Sequence, residues 1–387
     1  MQGRGVGGTA AIDWPALMCF KRSFTEPVPR IRRVAFQKAG METFQGEARF
    51  LSPDRLMVGD QTLSSRHFLV ASGARPRPLG IPGESHLVTS TDFLELDRLP
   101  QRIAFVGGGY ISFEFAHVAQ RAGARAMILS RHAPLGQFEQ DLVSRLVQHT
   151  RDIGATVRAN TTVTAIQPKG EGYGIAVETP DSSEVVEADL VVHGAGRTPQ
   201  TEALELEKAT VVTDPEGGVV VNEYLQSVSN LRVYAAGDAV RLPGKAPLTP
   251  VAAYESGIVA SNLLKGNSRM PDYHGIPSVV FTIPPLARVG LTEVEARNQG
   301  LDIRIRCEDT SSWYSSRRVS ESCAMFKTIV ENQTDRVVGA HLLGPHADEV
   351  INLFALAIRQ GLTATELRHQ LFAYPTGGSD LPYMLKE

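Results

Sequence analysis

A short apolar run, a glycine turn and a helical pattern follow one another in the first third of the chain. Residues 103–106 are apolar, residues 107–109 are glycines, and apolar side chains then recur at helical spacing as far as Gly123. The recurring side chains are Ile111, Phe115, Val118 and Ala119. A second apolar run occupies 126–129. This order predicts a strand, a tight turn, a helix and a second strand parallel to the first.

Shorter patterns precede this unit. Asp13 followed by Pro15 predicts a helix start, and a helical pattern at 34–39 is expected to end at Gly40. Short apolar runs separated by turn residues then predict strands at 47–50, 55–58 and 66–71. The chain therefore opens with a loop and a helix, which is unusual for an α/β domain.

The α/β pattern continues to about residue 264. The predicted elements are a helix at 139–153, a β-meander at 156–186, strands at 189–193 and 231–236, and a helix from 248. Beyond a boundary at 271–277 the pattern changes to α+β. The predicted elements there are strands at 278–282, 324–330 and 337–343, helices at 293–298 and 347–360, and a final helix opened by a capping box at Thr363–Glu366. A turn at 332–335 is expected to join the last two strands into a hairpin.

Composition sets the class of protein. The chain has 387 residues, of which 42% are hydrophobic and 21% charged, so two or three domains with buried cores are expected. The net charge of −3 and the absence of a basic run argue against nucleic acid and anionic membrane as partners. No long apolar stretch or secretory leader is present, so we predict a cytoplasmic protein with no metal site. The three cysteines are widely spaced and suit free thiols.

The glycine turn predicts a nucleotide site. Gly107 and Gly109 match the first two glycines of a dinucleotide fingerprint, whereas Ser112 stands at the third position. The pyrophosphate of a dinucleotide binds where such a turn meets a helix N-terminus. The alternative is a tight turn without a ligand.

The residues after the second strand bear on which dinucleotide binds. NAD sites place an acidic residue there for the ribose hydroxyls, while NADP sites use neutral and basic residues near the 2′-phosphate. The chain has Ser130, Arg131 and His132, with no acid in the following turn. This favours NADPH over NADH, although Arg131 could also be a solvated loop residue.

The ordered motifs of the chain resemble those of the pyridine nucleotide-disulfide oxidoreductase family of flavoproteins, which includes glutathione reductase, dihydrolipoamide dehydrogenase and mercuric reductase. They are Ala71–Ala74, Gly107–Ile111 with Glu114, Gly196–Pro199, Ala236–Asp238 and Tyr374–Thr376. The resemblance implies two Rossmann-like domains, for FAD and NAD(P), and a C-terminal α+β domain that pairs two subunits. The implied domains are 1–86 and 200–269 for FAD, 87–199 for NAD(P), and 270–387 for homodimerisation.

The resemblance also assigns roles to single residues. Tyr110 would cover the flavin and swing aside for the nicotinamide, and Glu114 would lie near both rings. Asp238 would accept a hydrogen bond from the FAD ribitol, where Gly237 allows close approach. The remaining cofactor-binding residues implied are Ser72, Gly73, Gly107, Gly109, Ser130, Arg131, His132, Gly196, Arg197, Thr249 and Ala252.

The chain departs from the family pattern in three places. The FAD-binding glycine motif and the C-x4-C redox pair do not occur, so we expect an N-terminally truncated chain. Tyr374 and Ser379 stand where the family has a His–Glu acid/base pair, and Tyr374 is a poor base but could donate a hydrogen bond. Gln137 lies where a second arginine often helps hold the 2′-phosphate.

Two functions follow from these features. The first is an FAD-dependent oxidoreductase that passes hydride from NADPH to the flavin and on to a small-molecule or thiol/disulfide acceptor. The second is a non-catalytic fragment that binds NADPH and dimerises. A ferredoxin or rubredoxin reductase is a third interpretation, which the C-terminal segment ending in Pro375-Thr376 disfavours.

Overall fold

The computed structural model describes Gly8 and residues 11–386, which form two compact units. One unit contains the residues up to Met18, Pro78–Ala195 and those from His274 onward, and the other contains Cys19–Arg77 and Gly196–Tyr273. The division does not test the predicted domain boundaries, which stay predictions. No helix among residues 11–386 combines the length and apolarity needed to cross a bilayer.

Helices and strands alternate through most of the chain. The helices are α1 (Trp14–Thr25), α2 (Val28–Lys38), α3 (Ser90–Phe93), α4 (Tyr110–Arg121), α5 (Gln140–Asp152), α6 (Thr249–Lys265), α7 (Glu293–Asn298), α8 (Tyr314–Arg317), α9 (Ala347–Gln360), α10 (Ala364–Arg368) and α11 (Leu381–Met384). The first ten strands are β1 (Ala48–Ser52), β2 (Arg55–Val58), β3 (Gln61–Ser64), β4 (Phe68–Val70), β5 (Ala74–Pro76), β6 (Arg102–Val106), β7 (Arg125–Leu129), β8 (Thr156–Arg158), β9 (Thr162–Lys169) and β10 (Gly172–Glu178). The other nine are β11 (Ser183–Ala188), β12 (Leu190–His193), β13 (Arg197–Pro199), β14 (Val233–Ala235), β15 (Ser278–Val280), β16 (Leu286–Gly290), β17 (Ile303–Asp309), β18 (Met325–Glu331) and β19 (Val337–Leu343).

A four-stranded parallel sheet of order β12-β6-β7-β8 forms the centre of the first unit. This confirms the predicted strand–turn–helix–strand unit. The buried positions of α4 differ from the predicted apolar face, because Phe113 and Ala116 pack into the core, whereas Phe115 and Val118 are only partly buried. Ser112 on the first turn of α4 lies against Gly194, which follows β12, where an added Cβ would be 2.1 Å from the Ser112 hydroxyl.

The predicted meander is β9-β10-β11, an antiparallel sheet of its own. The prediction was wrong for 156–158, because β8 pairs in parallel with β7 and belongs to the central sheet. The apolar Val157 is buried there among the core side chains.

A five-stranded sheet of order β15-β16-β19-β18-β17 forms the C-terminal part of the same unit, and α9 packs on it. The predicted β18–β19 hairpin and the capping box at Thr363 are confirmed. Strands β16 and β17 were not predicted. Four of the seven β17 side chains are charged, which hides a strand from a hydrophobicity pattern.

The second unit contains three small groups of strands. Strands β1, β2 and β3 form an antiparallel meander, β4 pairs in parallel with β14, and β5 pairs with β13. Its core includes Phe50, Leu225 and Val233. The predicted strand at 66–71 is shorter than expected, and β3 was missed because two of its four residues are polar hydroxyl side chains and one is glutamine.

Candidate functional site

The three glycines of the turn between β6 and α4 differ in how much space their surroundings leave for a side chain. Gly107 has a φ of 112°, and a Cβ there would lie 2.3 Å from the carbonyl oxygen of Gly194. A Cβ at Gly108 would meet the side chain of Ser130 at 2.0 Å. Gly109 has ordinary backbone angles, and only the Gly194 oxygen lies within 4 Å of an added Cβ, at 3.5 Å. Packing therefore explains the first two glycines, and open space at the N-terminus of α4 surrounds the third.

The two outer glycines should consequently differ in their tolerance of a side chain. We expect Gly107→Ala to lower the free energy of unfolding by about 2–4 kcal/mol, because a fixed backbone oxygen and a left-handed φ oppose the methyl group. Gly109→Ala should change it by less than about 1 kcal/mol. Urea unfolding followed by circular dichroism measures both values. Equal losses would contradict the assigned geometry.

The loop that joins β7 to α5 lies beside this turn. Ser130 is buried, and its hydroxyl donates to the carbonyl of His132 at 2.8 Å. The amide of Leu135 donates to the carbonyl of Gly108 at 2.9 Å. Arg131 and His132 are exposed. The loop that carries the candidate 2′-phosphate residues is thus joined to the glycine turn by the backbone hydrogen bond of Leu135.

This arrangement suits a dinucleotide. The first turn of α4 presents backbone N–H groups for which the helix itself offers no acceptor, and the partial positive charge of a helix N-terminus attracts phosphate. The space at Gly109 allows a ligand to approach the backbone. The first acidic residue after β7 is Glu139, which lies 7 residues after His132 in the sequence and is buried. The turn and the loop therefore fit a pyrophosphate and a 2′-phosphate, respectively.

Glu114 is half-buried one turn into α4 and contacts the segment after β15. Its carboxylate accepts a hydrogen bond from the amide of Phe281 at 2.8 Å. Burial raises the pKa of Glu114, and the Phe281 amide opposes this only in part. Tyr110, at the first position of the same helix, is 48% exposed. Glu114 is thus held against the segment after β15, whereas about half of the Tyr110 side chain is exposed to solvent.

A buried histidine that the sequence reasoning missed holds the same segment. His117 is fully buried, and its ring contacts Thr150 Oγ1 at 2.9 Å and accepts from the amide of Ile283 at 3.2 Å. Burial lowers the pKa of His117 to about 3, so the ring is neutral near pH 7. Arg121 donates to the carbonyl of Ile283 at 2.8 Å. The sequence feature that could have indicated this contact is a histidine and an arginine four residues apart on an apolar helix face.

The turn after β14 lies in the second unit. Gly237 has a φ of 65°, and its amide donates to the buried carboxylate of Glu255 at 2.6 Å. Lys245 donates to the Gly237 carbonyl at 2.6 Å and lies 3.1 Å from Glu255, and both side chains are almost fully buried. The sequence reasoning missed this ion pair. It fixes both polar backbone groups of the glycine and so sets the position of Asp238.

Asp238 itself is half-buried, and its carboxylate has no partner within residues 11–386. Thr249 begins α6, and Ala252 lies on the first turn of that helix, where its methyl group would be 3.2 Å from a Cβ on Gly237. An orphan carboxylate beside a helix start and a glycine suits a polar ligand that carries hydroxyl donors. The group fits the ribitol of FAD.

The other predicted cofactor residues of the second unit are Ser72, Gly73, Gly196 and Arg197. Ser72 is exposed, and Gly73 has a φ of 73° with no atom within 4 Å of an added Cβ. Arg197 donates to the carbonyl of Ala74, across the β5–β13 pair. Arg197 therefore has a structural role inside this unit, and its contact with NADP stays a prediction.

Tyr374 does not belong to a buried acid/base pair. Its side chain is 80% exposed, and the Ser379 hydroxyl donates to the carbonyl of Thr376 at 2.6 Å. The neighbouring Asp380 is half-buried, and burial raises the pKa of its carboxyl group. The structure places Asp380 and Tyr374 along one small cleft of the C-terminal part, with Arg318 on the same lining.

The three cysteines are free thiols. Cys19 and Cys307 are exposed, and Cys323 is buried. Burial raises the pKa of the Cys323 thiol to about 12, so it stays protonated at neutral pH. A buried protonated thiol is a poor nucleophile. None of the three is part of a disulfide.

Comparison with known proteins identifies relatives along almost the whole chain. The sequence profile described as pyridine nucleotide-disulphide oxidoreductase matches residues 23–257, and that of its dimerisation domain matches residues 276–384. A mercuric reductase of Staphylococcus aureus is 35% identical over 343 residues, which are 88% of this chain and 62% of that protein. A glutathione reductase of Burkholderia cepacia is 31% identical over 94% of this chain and 80% of its own length.

The solved structures include the HOCl-induced flavoprotein disulfide reductase RclA from Escherichia coli. It superposes with a TM-score of 0.86 and 25% sequence identity, over 97% of this chain and 86% of the other. The chain spans less than two thirds of the length of the mercuric reductase.

Proposed function

The chain belongs to the pyridine nucleotide-disulphide oxidoreductase family, and from that premise we propose that it is an FAD-dependent oxidoreductase subunit that draws its electrons from NADPH. One observation carries the choice of donor. The loop after β7 presents Arg131 and His132 to solvent next to the glycine turn and carries no acid there. A guanidinium favours the 2′-phosphate of NADPH, whereas a carboxylate would select the free ribose of NADH.

The residues of the first unit would bind and orient the dinucleotide. The N-terminus of α4 would receive the pyrophosphate, and Arg131 would pair with the 2′-phosphate. Tyr110 would move away from the position that the nicotinamide takes. Glu114 would stay fixed through its hydrogen bond with Phe281 and so define one side of the nicotinamide position. Its raised pKa makes a proton on this carboxyl group less costly than on an exposed glutamate.

The residues of the second unit would hold FAD. Bound FAD supplies two-electron chemistry, accepting hydride and releasing electrons to a second substrate. Asp238 would accept from the ribitol hydroxyls, with its turn fixed by Lys245 and Glu255. The acceptor would be a quinone, a dye, oxygen or a disulfide. Electrons would pass to it from the flavin without a redox pair among the three free cysteines. Tyr374 would donate a hydrogen bond rather than act as a base.

The match of residues 276–384 to the dimerisation domain supports a homodimer. Apolar side chains at the end of this part are exposed in the single chain, notably Leu371 at 100% and Tyr374 at 80%. A second subunit would cover such residues.

The visible spectrum of the purified protein tests this function. We expect absorption bands of about one flavin per chain, and bleaching of those bands by NADPH under anaerobic conditions. Chains reconstituted with FAD before the measurement control for loss of cofactor during purification. A colourless protein that still binds NADPH after reconstitution would contradict the oxidoreductase and support the second function.

That second function is a non-catalytic protein that binds NADPH and dimerises. One observation favours it. Within residues 11–386, strands β4 and β14 form a parallel pair with no third strand, which is a small platform for a nucleotide cofactor. The same spectrum decides between the two.

A further inference from the structure

The loop between β7 and α5, residues 130–139, is held at two ends by different parts of the chain. At its inner end, the Ser130 amide donates a hydrogen bond to the Arg158 carbonyl at 2.8 Å. The Ser130 carbonyl accepts one from the Thr161 amide, also at 2.8 Å. Leu135 then donates to Gly108 of the glycine turn. These contacts come from the parallel sheet and from the glycine turn before α4, and none of them involves a loop residue after Leu135.

The outer end of the loop contacts the C-terminal part of the same unit. The guanidinium of Arg288 on β16 donates to the carbonyl of Gln137. Glu139, the residue before α5, accepts from the amide of Glu293 at 2.5 Å and from Lys327 Nζ at 3.0 Å. Gln137 is thus fixed through its backbone and Glu139 through its side chain.

Lys327 on β18 is the centre of this contact. Its side chain is 5% exposed, and its ammonium group lies 3.0 Å from Glu139, 2.8 Å from Asp141 and 2.7 Å from Glu293. Glu139 and Asp141 flank the start of α5, while Glu293 begins α7. One cation therefore joins the end of the loop to β18 and α7 of the C-terminal part.

Between these two ends, the exposed side chains of the loop make no hydrogen bond within residues 11–386. Arg131, His132, Gly136 and Gln137 are exposed, whereas Leu135 and Phe138 are buried. Leu135 has a φ of 47°, an uncommon value for a leucine that the surroundings must maintain. Removal of the outer anchor would let the exposed residues leave this conformation.

We propose that Arg288 and Lys327 are positioning residues that hold the 130–139 loop in the conformation that recognises the 2′-phosphate. The proposal rests on the proposed function, which assigns the 2′-phosphate to Arg131. It adds that selectivity for the 2′-phosphate depends on two residues of the C-terminal part that do not touch the nucleotide.

The first test uses the nucleotide-free protein and Arg288→Gln. This variant removes the contact with Gln137 and leaves Lys327 in place. Hydrogen exchange followed by mass spectrometry should report about tenfold faster exchange in the 131–138 peptide, whose Leu135 and Phe138 amides are hydrogen-bonded. Arg304→Gln is the matched control, because Arg304 on β17 of the same sheet pairs with Asp335 and not with the loop. Unchanged exchange in Arg288→Gln would overturn the anchor.

The second test measures dissociation constants for NADPH, 2′,5′-ADP and NADH by titration calorimetry. In Arg288→Gln we expect the values for NADPH and 2′,5′-ADP to rise by about 5–10-fold and that for NADH by less than about twofold. Glu139→Gln keeps the shape of the cluster while it weakens the bond to Lys327, and should give the same selective loss. Equal weakening of all three ligands would overturn the positioning role.

Arg131→Glu distinguishes failure of the positioning role from failure of the proposed 2′-phosphate site. If Arg131→Glu loses NADPH and Arg288→Gln binds it normally, the positioning role fails and the proposed 2′-phosphate site stands. If both variants bind NADPH normally, the 2′-phosphate assignment itself fails. The exchange experiment then still decides whether Arg288 holds the loop.

Discussion

Arg131→Glu is expected to raise the dissociation constant for NADPH about 100-fold and that for NADH less than about threefold. The expected loss corresponds to about 2.7 kcal/mol, the sum of a lost charge-assisted hydrogen bond and a new repulsion between carboxylate and 2′-phosphate. NADH has no phosphate at this position, so the same change should affect it little. Fluorescence quenching or calorimetry with the two nucleotides gives both constants.

Arg125→Glu is a suitable control for this experiment. Arg125 is exposed at the other end of β7, so the substitution makes the same change in net charge far from the 130–139 loop. It should leave both dissociation constants within about twofold. The dependence on salt offers a second check, because the NADPH constant of the unchanged protein should weaken with ionic strength more than that of Arg131→Glu. Equal loss of NADPH and NADH in Arg131→Glu would exclude Arg131 from the 2′-phosphate site.

Lys327→Met is expected to lower the free energy of unfolding by about 3–5 kcal/mol. Methionine has a similar length but leaves Glu139 buried without its cation, and removal of one partner of a buried ion pair is strongly destabilising. Burial by itself would lower the pKa of Lys327, but the hydrogen bonds that it donates to three carboxylates raise it above the ordinary range. The lysine is therefore charged at neutral pH. Urea unfolding at pH 7 measures the loss.

The effect of Lys327→Met should also depend on pH. The hydrogen bond from Lys327 holds the pKa of Glu293 below its ordinary 4.5. A carboxyl group whose pKa is lower in the folded than in the unfolded protein stabilises the fold at pH values above its unfolded pKa. This contribution is lost as the pH falls through its pKa in the folded protein. The difference in the free energy of unfolding between the unchanged protein and Lys327→Met should consequently become smaller below about pH 4.5.

Lys169→Met is the matched control. Lys169 pairs with Glu187 at 2.7 Å, but its side chain is 57% exposed, so its loss should cost less than about 1 kcal/mol. A loss for Lys327→Met as small as that for Lys169→Met would contradict the buried ionic cluster.

Local features of the first unit were predictable from the sequence. Strand β6, the glycine turn, α4 and β7 follow one another without interruption, so hydrophobic period and glycine position were sufficient. The capping box at Thr363 and the hairpin between β18 and β19 are equally local and were also predicted. The resemblance to the family supplied the expected roles of Tyr110, Glu114 and Asp238, which no pattern of spacing indicates.

Contacts between distant segments were not predictable in this way. Nothing near Glu139 in the sequence indicates that Lys327 is its partner, because the two are 188 residues apart. A lysine within the apolar strand β18 was the one signal that a buried carboxylate would be needed. The same holds for His117, whose partner Ile283 lies 166 residues later, and for Lys245, whose burial depends on the fold of the second unit.

The long separation between Glu139 and Lys327 has a consequence for synthesis. A ribosome completes β6, α4, β7 and the 130–139 loop well before it reaches β16 and β18, and domains generally fold as units in order of their synthesis. The glycine turn can therefore form while the outer end of the loop still lacks Arg288 and Lys327. A nascent chain should acquire affinity for the pyrophosphate first, and discrimination between the two dinucleotides only when the last quarter of the chain has folded.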